Sequence, residues 1–308
     1  MARRIATEQA NEFKNKMIFP ENLQHLIREG EVLAPFTWLQ LGGTARFFAE
    51  PTSAEEFCGL VSAASKADLP IRILGDGSNL LIRSSGFDGL VIHPCSAALS
   101  RIEFRGSSLV AGAGAKLNHV ITAAIGSGLA GLEHLAGIPG TIGGALVGNA
   151  SVTNDDIGNR VTRVVIIDQQ GQLEERRAED LQFAFCRSNL DGSIVLEVEL
   201  QLEPSDPIQL TRRMQAGWIV KRKSQPFSGT RNALAFAEPD GCSLVDLFEL
   251  AGVKGAVEGE AALSTQFPGY IVVSGTATPE QVLALVGRVK QSVEVRSGIQ
   301  LQSPLKVW

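Results

Sequence analysis

Two glycine-rich stretches contain the residues whose types and spacing could do chemistry. In Ile73-Leu74-Gly75-Asp76-Gly77-Ser78-Asn79-Leu80-Leu81-Ile82, glycines flank an acid, so the chain can take positive φ and present the amides of Ser78 and Asn79 together. In Gly137-Ile138-Pro139-Gly140-Thr141-Ile142-Gly143-Gly144-Ala145, glycines at 140, 143 and 144 permit close backbone approach, and Thr141 adds a hydroxyl. Gly148-Asn149-Ala150 follows one turn later. Nests of amides hold phosphate oxygens. One such cluster is ordinarily a tight turn, but two of them, each preceded by an apolar run, point to a ligand with a diphosphate. Neither stretch has the lysine of G-x-x-x-x-G-K-[ST], and neither is a G-x-G-x-x-G opening a helix in a βαβ unit, which disfavours P-loop and Rossmann proteins. The expected cradle is Leu74, Gly75, Asp76, Gly77, Ser78, Asn79 and Leu80, with Gly137, Ile138, Pro139, Gly140, Thr141, Gly143, Gly144 and Asn149.

Short alternating elements must position these loops. Pro51–Leu69 has apolar residues at three- and four-residue spacing, an N-cap, and Glu55 and Glu56 in its first turn, which predicts an amphipathic helix. Ile71–Leu74, Leu90–His93, Leu109–Gly112, Val161–Asp168 and Ile194–Leu202 read as strands, the last with Glu197, Glu199 and Gln201 on one face. Gln169-Gln170-Gly171 predicts a hairpin. Leu117–Gly128, Ile208–Lys223, Leu244–Leu250 and Pro279–Val295 read as helices, Tyr270–Val273 as a strand, and Leu301–Trp308 as extended. Pro204-Ser205-Asp206-Pro207 is the expected linker. The expected division is an N-terminal arm over 1–30, helical and polar through residue 33, and lobes over 31–95, 96–205 and 206–308, in an α+β protein.

At 308 residues the chain is about twice the ~150-residue length of a common domain. Its 44% hydrophobic and 20% charged residues exclude disordered and fibrous classes, and 28 basic against 33 acidic side chains supply no general field for nucleic acid. Cys58, Cys95, Cys186 and Cys242 form no C-x-x-C pair and match no common zinc spacing, so free thiols and no metal are expected. His119 and His134 are isolated and read as structural. No signal peptide or membrane span is read, and a cytoplasmic monomer is expected.

The glycine stretches, with Leu41-Gly42-Gly43-Thr44-Ala45 and Gly131-Leu132-Glu133, resemble the UDP-N-acetylenolpyruvoylglucosamine reductase (MurB) family across roughly residues 35–308. The resemblance implies a two-lobed FAD-binding domain of the vanillyl-alcohol-oxidase type, a C-terminal α+β substrate lobe, and FAD diphosphate on the two glycine loops. It further implies transient NADPH as electron donor and reduction of UDP-N-acetylglucosamine enolpyruvate to UDP-N-acetylmuramate for peptidoglycan. Lys221 and Gln225 are the expected contacts to this UDP-sugar.

The family's catalytic positions diverge here. In Phe183-Ala184-Phe185-Cys186-Arg187-Ser188, Cys186 stands where the resemblance places an arginine, and Arg187 is one residue late, on the opposite strand face unless a bulge corrects it. In Asn232-Ala233-Leu234-Ala235-Phe236-Ala237-Glu238-Pro239, Leu234 replaces the proton-donating serine, and in Leu301-Gln302-Ser303-Pro304-Leu305, Pro304 replaces a glutamate. Leucine has no proton to give. Three readings stay open: a working reductase using Arg187, Ser188 or Glu238; a flavoprotein with another substrate; or a non-catalytic binder of FAD or a UDP-sugar.

Overall fold

The computed structural model describes residues 18–152, 155–184, 187–226 and 229–308. The chain forms two compact units. The first comprises the described residues up to Gly30 with Arg46–Gly75 and Asp88–Met214; the second comprises Glu31–Ala45, Asp76–Phe87 and Gln215–Trp308.

The first unit has two cores. One lies under a four-stranded sheet, in the order Ile27–Val32, Thr44–Ala49, Phe87–Ile92, Ile71–Ile73, covered by helix Ala54–Lys66. That helix starts where Ser53 accepts from Glu56 N and buries Phe57, Leu60, Val61 and Ala64 at helical spacing. The other core lies against a five-stranded antiparallel sheet, in the order Leu173–Arg177, Val161–Ile167, Ile194–Gln201, Ser108–Gly112, Ile102–Arg105. Helices Leu117–Gly126 and Ile142–Val147 contribute Leu117, Val120, Ile121, Ala124, Ile142 and Leu146 to it. Among the polar residues of this sheet, Arg163 bonds Glu197 at 2.8 Å and Glu199 at 3.0 Å, a cross-strand ladder that carries the predicted acidic face. The predicted hairpin joins Val161–Ile167 to Leu173–Arg177, with Gly171 at φ 78° and the Asp168 carboxylate accepting from Gln170 N and Gln172 N.

The second unit packs a four-stranded antiparallel sheet, in the order Asn232–Leu234, Tyr270–Val273, Ala261–Leu263, Val257–Glu258, against helices Leu244–Leu250 and Pro279–Ser297. Alternation divides this sheet: Ala233, Ile271, Leu263, Ala261 and Val273 enter the core with Leu247, Phe248, Val282, Leu285 and Val289. Leu234, Tyr270, Val272 and Ala262 lie on the other, half-buried face.

Two expectations need correction. Residues 27–32 are a strand and not a helical lead-in; only Glu21–Gln24 is helical in the described part of that segment. The Pro204–Pro207 stretch does not part the units: Glu203–Pro204 pairs with Leu129–Ala130, and Pro207 opens helix Pro207–Ser224. Proline at a helix start gives up only an amide that the helix leaves unpaired. The division falls later, at Met214 and Gln215, inside that helix.

Candidate functional site

In the first unit, a pocket of about 300 Å³ brings the end of one glycine stretch to the other: Leu74 and Gly75 line it with Thr141, Gly114, Ala115 and Lys116. A Cβ on Gly75 would stand 2.8 Å from Thr141 Oγ1, so the approach needs glycine. A more open groove of about 750 Å³ beside helix Ala54–Lys66 contains none of the expected site residues.

The second stretch is built around Thr141, which caps helix Ile142–Val147 by accepting from Gly144 N at 3.3 Å. Ile142 N and Gly143 N donate to Ala115 O and Ala113 O, at 2.8 and 2.9 Å. Gly143 serves packing, since its Cβ would fall 2.9 Å from that of Ala113. Gly144 differs: it is exposed, and a Cβ there would meet only Thr141 Oγ1, at 3.6 Å. The amides of Gly140 and Thr141 donate to no acceptor among the described residues, and Gly137 and Gly140 take φ of 87° and 121°. Ile138 N donates to Leu135 O, and Pro139 has no amide to offer. Asn149, at φ 45° and almost fully buried, donates through Nδ2 to Ala184 O and accepts through Oδ1 from Gly158 N. Its side chain ties loops together, and its backbone N–H donates to Leu146 O at 3.1 Å.

The rest of the first stretch lies in the second unit. Gly77, at φ 59°, lets Trp38 N reach its carbonyl and packs too closely on Phe36 for a side chain. The amides of Gly77, Ser78 and Asn79 donate to no acceptor among the described residues, and Asn79 Oδ1 is buried without a partner. Asp76 and Ser78 are half-buried, while Leu74 and Leu80 are buried. Unpartnered buried polar atoms are costly unless a ligand satisfies them. In both units, then, the unpartnered backbone amides suit a phosphate-bearing cofactor, while Asn79 Oδ1, an acceptor, calls for a donor group.

Relatives of the chain agree. Residues 45–176 match the FAD binding domain family, and residues 225–308 match the C-terminal domain of UDP-N-acetylenolpyruvoylglucosamine reductase. The chain is 43% identical over 290 residues to the UDP-N-acetylenolpyruvoylglucosamine reductase of Rhodopirellula baltica, covering 94% of this chain and 95% of that protein. The chain belongs to this reductase family. A reductase of the same description from Heliobacterium modesticaldum is 36% identical over 274 residues, covering 88% and 87%. The crystal structure of the Thermus caldophilus reductase (MurB) superposes with a TM-score of 0.78 at 31% identity, covering 92% of this chain and 99% of that one. The family's two-lobed FAD-binding fold is therefore present, and FAD is its cofactor.

Within each unit, the residues expected to be catalytic have these surroundings. Cys186 lies outside the described residues. Arg187 pairs with Ala184 in a two-residue ladder and is exposed, in no ion pair among the described residues. Ser188 is buried, donating to Val147 O at 2.9 Å and accepting from Leu190 N. In the second unit, Glu238 accepts from Leu244 N at 3.1 Å, at the start of helix Leu244–Leu250. Ala237 N donates to Gln302 O, which ties the segment after Leu234 to the one leading into Pro304. Lys221 is half-buried with no carboxylate partner among the described residues, and burial pushes its ammonium below the usual lysine value. Gln225 follows that helix, also half-buried.

Sequence reasoning missed Tyr270, the chain's only tyrosine. It pairs directly across the strands from Leu234, so both side chains share the half-buried face. Its hydroxyl has no hydrogen-bond partner among the described residues, and burial raises its phenol above the ordinary value. No local motif announces it; the signal is the register of two strands 36 residues apart, read from Leu234↔Tyr270 (270 − 234 = 36).

Proposed function

We propose that this chain reduces the enolpyruvyl double bond of UDP-N-acetylglucosamine enolpyruvate, in the cytoplasm, with NADPH as electron donor. Residues 31–95 and 96–205 would hold the cofactor and 206–308 the substrate. Bound FAD would relay a hydride from the nicotinamide to the double bond. In the first unit Gly75, Gly140 and Thr141, and in the second Gly77, Ser78 and Asn79, would each offer backbone amides to a phosphate.

The observation that carries this reading is the Tyr270 phenol, unpartnered among the described residues, on the same sheet face as Leu234, where the family resemblance expects a proton donor. Hydride addition leaves an electron pair on the carbon beside the substrate carboxylate, and that carbon must gain a proton. Ser188 and Glu238 are engaged in internal hydrogen bonds, whereas the Tyr270 hydroxyl has no partner among the described residues and would supply it. A phenol held above its ordinary pKa remains protonated at neutral pH. Lys221, short of a counter-charge, would meet the UDP diphosphate.

Leu234 and Pro304 favour a second reading, a flavoprotein that acts on another substrate or only binds FAD or a UDP-sugar. Anaerobic spectroscopy separates the two. Bleaching of the yellow protein by NADPH, followed by return of colour with UDP-N-acetylglucosamine enolpyruvate, supports reduction. Bleaching without return supports another substrate, and absence of bleaching supports a binder.

A further inference from the structure

We propose that Glu50, His93 and Cys95, in the first unit, form a binding site for a zinc-class divalent cation. The three offer donors of different chemistry at one point: Glu50 Oε1 lies 2.9 Å from His93 Nδ1 and 3.5 Å from Cys95 Sγ, and all three atoms lie within 4.8 Å of one another. Zinc bonds of about 2.0–2.3 Å set tetrahedral ligand atoms about 3.3–3.7 Å apart. The Glu50–Cys95 separation matches such an edge, the Glu50–His93 separation is a few tenths of an ångström short of it, and the third pair lies within 4.8 Å.

The backbone fixes this convergence. Glu50 follows strand Thr44–Ala49 and His93 follows Phe87–Ile92, neighbours in one sheet, and His93 N donates to Ala49 O at 2.9 Å. Cys95 N donates to His93 O at 2.9 Å, so the chain turns tightly at Pro94 and returns the thiol toward the imidazole. Arg28 Nη2 bonds the other carboxylate oxygen, Oε2, at 2.7 Å, which orients Glu50 and leaves Oε1 to the cation.

The donor set also selects the metal. A thiolate and an imidazole favour zinc-class ions over magnesium and calcium, which take oxygen ligands. On loading, Cys95 would release its thiol proton to solvent as the sulfur–metal bond forms; thiolate and carboxylate then neutralise the dication. His93 and Cys95 also line the pocket that reaches Gly75 and Thr141, so a water can complete the fourth position. This assignment does not depend on the reductase reading.

The test is titration of the purified full-length protein, dialysed free of metal, with cobalt(II) and then zinc. The expected result is one equivalent of cobalt with a thiolate-to-metal charge-transfer band, displaced by zinc. Cys95→Ser should abolish the band and weaken zinc binding about a hundredfold, and His93→Ala should weaken it similarly. Cys58→Ser, Cys186→Ser and Cys242→Ser should keep both. Because Cys95 is exposed, Cys95→Ser should fold and decides the matter even where His93→Ala does not. Absence of the band in the unaltered protein, or its survival in Cys95→Ser, overturns the site.

Discussion

The glycine cradle of the first unit and the open sheet face of the second differ in what holds their sequence in place. At Gly75 and Gly143 a single added carbon meets Thr141 Oγ1 at 2.8 Å or Ala113 Cβ at 2.9 Å, so sterics alone forbid most replacements. At Leu234 the backbone is an ordinary strand on a half-buried face, where serine, leucine and other residues all fit. A site made of backbone resists drift because the fold itself suffers when it changes. A site made of side chains can lose its chemistry with the fold intact, and its function must then pass to a neighbour or end.

The sharpest way to break this contrast is Tyr270→Phe, which keeps the ring and removes the proton. Reoxidation of the reduced flavin by the enolpyruvyl substrate should slow about 10²–10⁴-fold while bleaching by NADPH is unchanged. The rate should also fall as pH rises through the raised phenol pKa, because only the protonated form donates. Alkaline absorbance titration reports that ionisation without ambiguity, since the chain has one tyrosine. An unaltered reoxidation rate in Tyr270→Phe would remove Tyr270 from the reaction.

The next effect tests the cradle. Gly75→Val should lower FAD retention about ten- to a hundredfold, read as flavin absorbance against protein, because its side chain meets Thr141 and enters the pocket. Lys221→Met should raise KM for the UDP-sugar about tenfold and leave kcat nearly unchanged, as loss of one charge-assisted contact would. In the unaltered protein KM should climb with pH sooner than an exposed lysine would dictate, because burial lets Lys221 lose its charge earlier.

The backbone conformation of the glycine loops was legible in sequence because its constraints are local: positive φ and close approach select glycine within a few residues. Helix Ala54–Lys66, its Ser53 cap and the Gly171 hairpin were legible for the same reason. Asn149 shows the limit. Its type and position suit a ligand contact, yet its amide is taken by Ala184 O, 35 residues away. Tyr270 opposite Leu234, and Glu50 beside His93 and Cys95, arise from strand pairing, which no spacing along the chain encodes. The division within helix Pro207–Ser224 was hidden likewise, because tertiary packing and not a proline pair decides it.

The smallest effect separates a structural carboxylate from a chemical one. Glu238 lies four residues beyond Leu234 (238 − 234 = 4) and could be taken for a displaced acid, but its Oε1 accepts from Leu244 N, at the first turn of helix Leu244–Leu250. Ser243 already caps Val245 N there, so Glu238 satisfies a second amide that the helix leaves open. Glu238→Ala should therefore cost about 0.5–1 kcal/mol, seen as a small fall in thermal midpoint. Glu238→Gln, which still offers an oxygen, should recover most of it. Neither should change flavin reoxidation by the substrate. If either slows that step beyond the small stability loss, proton handling on this face has moved to Glu238, and the open sheet would have kept its chemistry by relocating an acid and not by recruiting a phenol.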